Sequence, residues 1–233
     1  MLVSLWSPKG GSGTSVVAAA FASVLARHHR DVRLIDLVGD QPAICGVGVR
    51  GEQRGIGDWL AAGPTTPASA IESFALDDLA ALSLVPAGSA APVDCGDAGA
   101  ALAVVLRDDP RISVLDAGLA VAPAARSLVE LADLSLLVVR ACVLALRRAY
   151  DRHDLVHASS GLLLVDEPHR SLHARDVAEL AGRPILGTVP CVPDVARAVD
   201  AGLLLARAPV QLFRPLEDVV QRLGLGGRPV QAA

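Results

Sequence analysis

Leu2-Val3-Ser4-Leu5-Trp6, running into Ser7-Pro8-Lys9-Gly10-Gly11-Ser12-Gly13-Thr14-Ser15, is the stretch that decides the fold of this chain. The first five residues form a short apolar run of the kind buried in a parallel sheet. A glycine-rich turn follows, and an apolar helical segment, Thr14–His29, begins at once. Glycines let a backbone turn with its N–H groups pointing inward, and a helix N-terminus adds partial positive charge. Strand, glycine turn and helix in that order make a cradle for phosphate. Gly10, Gly11, Ser12, Gly13, Thr14 and Ser15 are therefore the candidate binding residues. The strict pattern G-x-x-x-x-G-K-[ST] is not met, because Pro8 stands at its first glycine and Thr14 at its lysine. What remains is K-G-G-x-G-x-[ST], with the lysine early.

That lysine stands out against the composition. Of the 21 basic residues, Lys9 is the only lysine and the rest are arginine. About half the chain is apolar, with aromatics scarce and small side chains abundant. The 233 residues suit one sizeable α/β domain, expected over 1–225, with a frayed Gly/Pro tail over 226–233. No stretch reaches the roughly 18 uninterrupted apolar residues of a membrane span. Leu134–Leu146 comes nearest and carries Arg140 in its middle. The chain starts directly in a strand, without a charged, apolar and cleavable leader, so a soluble, cytoplasmic protein is expected. Cys45, Cys95, Cys142 and Cys191 are scattered, which argues against a disulfide framework or a metal–sulfur centre. A net charge of −4 argues against a strongly electrostatic grip on nucleic acid.

Outward from the first strand, apolar runs recur at Leu82–Val85, Leu134–Val139, Gly161–Val165 and Ile185–Val189, besides two that end in aspartate. Those two are Val32–Asp36 and Ile112–Asp116. Helical segments are expected at Ile56–Ala62, Ala98–Leu106, Ala124–Ala132, Leu144–Ala158, Ala174–Ala181, Val195–Leu205 and about Pro215–Leu223. Gly63–Ala70 and Gly88–Gly99 read as surface loops. The alternation predicts an α/β fold: a mostly parallel sheet of seven or eight strands with helices on both faces. A phosphate-loop site needs acids at the ends of neighbouring strands to hold magnesium and order water, which makes Asp36 and Asp116 candidates. An apolar strand that ends in Asp is also a common turn or helix cap.

The early-lysine loop resembles the deviant Walker A motif of the ParA/MinD family of P-loop NTPases, K-G-G-x-G-K-[ST]. The resemblance covers nearly the whole chain, its specific part being roughly the first 45 residues and Asp116. It implies ATP or ADP with Mg2+ as ligands and a nucleotide-sandwich homodimer. By position, Lys9 would reach the partner's phosphates, and Ser15, Asp36 and Asp116 would face magnesium. Thr14 replaces the second lysine of the family motif. A charged hydrogen bond to phosphate is worth about 1.5–3 kcal/mol, roughly one to two decades of affinity, so hydrolysis is expected to be slow or absent. The family's second acid after the second strand is Val38 here, with Asp40 nearby as a substitute. Pro190-Cys191-Val192-Pro193 is where adenine would lie by resemblance, so Pro190 and Pro193 join the candidate binding residues. The run Val165-Asp166-Glu167-Pro168 lacks the Asn that relatives often carry.

Within the family, K-G-G-x-G-T-[ST] is similar to the CpaE/TadZ branch, which localises pilus-assembly and secretion machinery. Some actinobacterial relatives of that branch carry the name septum-site-determining protein. The expected function is an ATP-dependent dimeric positioning switch for secretion, pilus or division machinery, with a protein partner. The alternatives are a nucleotide-free scaffold and a DNA-riding partition ATPase. Iron–sulfur and tyrosine-kinase relatives lose their defining residues here. The last helix, with Phe213, Leu216, Val219, Val220 and Leu223, is nearly charge-balanced and reads as core packing, so any membrane binding would be peripheral. His153 and His157, four apart on an expected helix, read as a solvated face.

Overall fold

In the computed structural model, residues 1–29, 31–48, 53–79, 82–90 and 96–227 are described. Cys95 and residues 228–233 of the expected tail lie outside them. Strands β1 (Leu2–Trp6) and β2 (Val32–Asp36) flank helix α1 (Thr14–Ala26). Short helices α2 (Gln41–Cys45), α3 (Ile56–Ala62) and α4 (Ser69–Glu72) lead to β3 (Leu76–Leu79) and β4 (Leu82–Val85). Then come α5 (Gly96–Asp108), β5 (Ile112–Asp116), α6 (Pro123–Glu130) and β6 (Leu134–Arg140). The chain continues through α7 (Val143–Tyr150), α8 (His153–Ala158), β7 (Gly161–Asp166), α9 (Ala174–Ala181) and β8 (Ile185–Pro190). It closes with α10 (Pro193–Asp200), α11 (Leu204–Arg207) and α12 (Val210–Arg222).

The strands form one sheet in the order β3-β4-β2-β5-β1-β6-β7-β8. Every neighbouring pair is parallel except β3–β4, which is antiparallel. Alternation along β1 sends Val3 and Leu5 to the core under α1 and α12, and Leu2 and Trp6 to the core under α5, α6 and α8. Both faces are covered, which is why the central strands are mostly apolar, interrupted by the buried Ser4, Arg33, Ser113 and Ser135. From β1 the chain passes by α1 on one face to β2, and from β5 it passes by α6 on the other face to β6. Connections that diverge in this way open a crevice at the carboxyl ends of the strands.

Element by element, the structure departs from the expectations where tertiary contacts act. β3 is not expected from the sequence, since Asp77 and Asp78 fill its middle; charged residues of this sort are tolerated on an edge strand. The helix expected over 144–158 breaks between Tyr150 and His153, where the Arg152 guanidinium donates to the Leu119 carbonyl. The helix expected over 195–205 starts at Pro193 and breaks at Gly202, whose φ is 63°. Pro215 does not open the last helix but sits inside it. One backbone bond is lost there, and the burial of Leu212, Phe213, Leu216, Val219 and Val220 sustains the helix. α1 ends at Ala26, and the two histidines expected to complete it turn to the C-terminal segment instead. His28 contacts the Glu217 carboxylate, and the His29 ring lies 2.6 Å from the Leu225 carbonyl.

Candidate functional site

The turn after β1 is held open by its own side chains. Ser7 and Ser12 both donate their hydroxyls to the Lys9 carbonyl, at 2.8 and 2.7 Å. Ser7 N donates to the Gly118 carbonyl at 2.8 Å, which ties the turn to the end of β5. Gly11 and Gly13 take φ values of 74° and 89°, the left-handed region that favours glycine. Nothing lies within 4 Å of a Cβ placed on Gly10, Gly11 or Gly13, so the concave side of the turn is free. α1 begins with no side-chain cap, leaving its first-turn N–H groups as donors. A cavity of ≈ 560 Å³ lies over this turn, lined by Gly10, Gly13, Ser15, Asp40 and Gly118 among others. Thr14 and Ser12 are buried in its floor.

The half-buried Lys9 directs its Nζ to the Gly10 carbonyl at 3.2 Å. Glu167, a carboxylate that feels its charge, is already bonded by Arg140 at 2.6 Å and by Arg170 at 2.7 Å. The ammonium is therefore held loosely, by its own loop.

Asp36 and Asp116 end adjacent strands and stand opposite each other in register. Both are fully buried. One Asp36 oxygen accepts from Val38 N and Gly39 N, each at 2.8 Å, and the other from Gln41 N at 2.9 Å. Burial pushes the Asp36 carboxyl above its ordinary range, and those three N–H donors oppose the shift. A metal ion at Asp36 would have to share oxygens that already shape the loop 37–41. Asp116 is pushed up to about 6, chiefly by burial; the Ser15 hydroxyl and the Gln41 amide oppose this, and the Asp36 charge adds to it. Asp116 Oδ2 accepts from Gln41 Nε2 at 2.8 Å and Oδ1 from Gly118 N at 3.2 Å. Ser15 and Asp116 thus form a hydroxyl–carboxylate pair under the cradle, the donor set that suits a hard divalent cation. Asp40 is exposed at the cavity wall, and Val38 beside it is 45% exposed.

The candidates do not all converge. Pro190 ends β8 and pairs with Asp166, and Pro193 opens α10, where proline fits the first turn. Neither lines the cavity over the phosphate turn. His157 lies beside Arg183, and among the described residues no group of three His, Cys, Asp or Glu residues stands ready for a metal. Gln41 escapes a reading of the sequence: it is fully buried and touches Asp36, Asp116 and the Ser15 carbonyl. Asp40-Gln41-Pro42-Ala43 is similar to a stretch of actinobacterial relatives, but that similarity assigns Gln41 no role in a site.

A family model described as the CobQ/CobB/MinD/ParA nucleotide binding domain matches residues 3–205. No curated protein sequence matches the chain. Among solved structures, a ParA family ATPase from Chlorobium tepidum is similar at 19% identity, over 95% of this chain and 98% of that one, with a TM-score of 0.76. The MinD cell division protein of Aquifex aeolicus is similar at 18% identity, over 99% of each chain, also at 0.76. The septum site-determining protein MinD of Pyrococcus horikoshii, solved with Mg-ADP, is similar at 16% identity over 95% of each chain, at 0.75.

Proposed function

We propose that this chain, which belongs to the CobQ/CobB/MinD/ParA nucleotide-binding domain family, is a nucleotide-dependent positioning switch with little or no hydrolysis. The observation that carries the reading is the open cradle at Gly10, Gly11 and Gly13, set beside an uncapped helix start and the Ser15–Asp116 pair. Backbone amides over residues 10–15 would hold the phosphates, and Ser15 and Asp116 would face the magnesium of ATP or ADP. Magnesium when bound supplies charge neutralisation between phosphate oxygens. Lys9, loosely held by its own loop, is free to reach the phosphates of a second copy in a homodimer. Thr14 supplies no ammonium group, and Val38 supplies no carboxylate where the family has its second acid. Both features leave binding possible and weaken turnover. Asp36 acts here as the former of the loop 37–41, and Asp40 remains as the exposed acid of that loop. The similarity to the CpaE/TadZ branch points to secretion, pilus or division machinery as the partner.

Titration of a fluorescent ATP analogue tests this directly. Magnesium-dependent binding at millimolar nucleotide or below is expected, with Lys9→Ala abolishing nucleotide-induced self-association in light scattering. Absence of binding would end the switch reading. A nucleotide-free scaffold is the second reading, supported by Thr14 and by the exposed, apolar Val38. It requires self-association that Lys9→Ala leaves unchanged. A DNA-riding partition ATPase would demand steep salt-dependent DNA binding, which a gel shift at low salt detects.

A further inference from the structure

Gln41 is fully buried between three elements that carry the candidate site. Its backbone N–H donates to Asp36 at 2.9 Å. Its side-chain amide has two hydrogens, and both are used: one to the Ser15 carbonyl at 2.9 Å, one to Asp116 Oδ2 at 2.8 Å. Its position is thus set by the end of β2, the first turn of α1 and the end of β5 together. The terminal torsion of an aspartate is broad, so hydrogen-bond donors decide which way its oxygens face. At Asp116, Gln41 fixes one oxygen and Gly118 N the other.

We propose that Gln41 is the positioning residue of the magnesium side of the site, holding Asp116 and the start of α1 in mutual register before the ion arrives. The inference rests on the nucleotide-binding reading above. Gln41 does not line the cavity over the glycine turn. Its contribution therefore belongs to the metal-dependent part of affinity and is absent from the part made by the glycine turn and Lys9. Outer partners that orient ligating groups typically contribute tenfold or more to metal affinity.

The test is a titration of N-methylanthraniloyl-ATP onto wild type and Gln41→Met, once with magnesium chloride and once with EDTA, after melting curves establish that both are folded. Gln41→Met keeps the side-chain length and removes both donors. Affinity with magnesium is expected to fall about tenfold or more, while affinity in EDTA stays within twofold. Combining Gln41→Met with Asp116→Asn is expected to add little further loss, since both act on one carboxylate. Equal losses with magnesium and with EDTA, or fully additive losses with Asp116→Asn, would overturn the role of Gln41 and leave the nucleotide reading intact. A wild type that binds in neither condition would remove both. If Gln41→Met does not fold, Gln41→Ala takes its place with the same expectation.

Discussion

Thr14 is where one side chain sets the limits of the chemistry. It is the first residue of α1 and 7% exposed, at the floor of the cradle. A hydroxyl there contributes no charge to a phosphate, so under the proposed nucleotide reading affinity would rest on amides, on Lys9 and on the Ser15–Asp116 pair. Thr14→Lys is expected to tighten nucleotide binding by roughly ten- to a hundredfold, read by the same fluorescent titration. An unchanged affinity would mean that the turn does not present phosphate to this position. Asp36 shows the opposite case. Its strand-end position is legible in the sequence, yet its oxygens serve the backbone of Val38, Gly39 and Gln41. The fold of the loop shows which backbone groups those oxygens hold, which the sequence does not, because turn-forming and metal-facing carboxylates share the same sequence signal.

At the scale of elements, a cluster of charges binds the far end of the sheet. Arg33 on β2 is 2% exposed and bonds Glu72 of α4 at 2.6 Å and Asp109, just before β5, at 3.3 Å. Arg111 bridges the same two carboxylates. Hydrogen bonds from Arg111 hold both carboxyls below their ordinary range, with the Arg33 charge adding. Their contribution to stability is therefore complete above the unfolded carboxylate pKa, about pH 4, and is lost as pH falls below it. Asp109→Ala should destabilise the fold by about 1.5–3 kcal/mol at pH 7, because a buried guanidinium loses a charged partner. Its melting temperature should also fall less steeply than that of wild type between pH 5 and pH 2.5. Parallel acid profiles would show that the cluster carries no net stability. This network also explains the unexpected edge: Glu72 anchors α4, and α4 delivers the chain to β3.

For the molecule as a whole, the sheet order brings the ends of β1, β2 and β5 together, so the cavity over the glycine turn is walled by three separately delivered segments. A ligand that binds only the folded chain stabilises all of it. Nucleotide at a hundred times its dissociation constant adds about 2.7 kcal/mol, or roughly 5–10 °C in melting temperature for a chain of this size. Magnesium-ATP is expected to produce that shift in wild type and a smaller one in Lys9→Ala; no shift at millimolar nucleotide would count against binding. No described helix is long and apolar enough to cross a membrane, and α12 lies against α1 and β8 with its apolar side buried. Every strand but β3, and the glycine turn itself, can be read from the order of residues, because burial on both faces and a left-handed glycine turn each demand particular side chains locally. Tertiary structure was needed for the strand order, for the breaks at Arg152 and Gly202, and for the convergence on Gln41. Those depend on contacts between residues far apart in the chain, and such contacts leave no periodicity behind them.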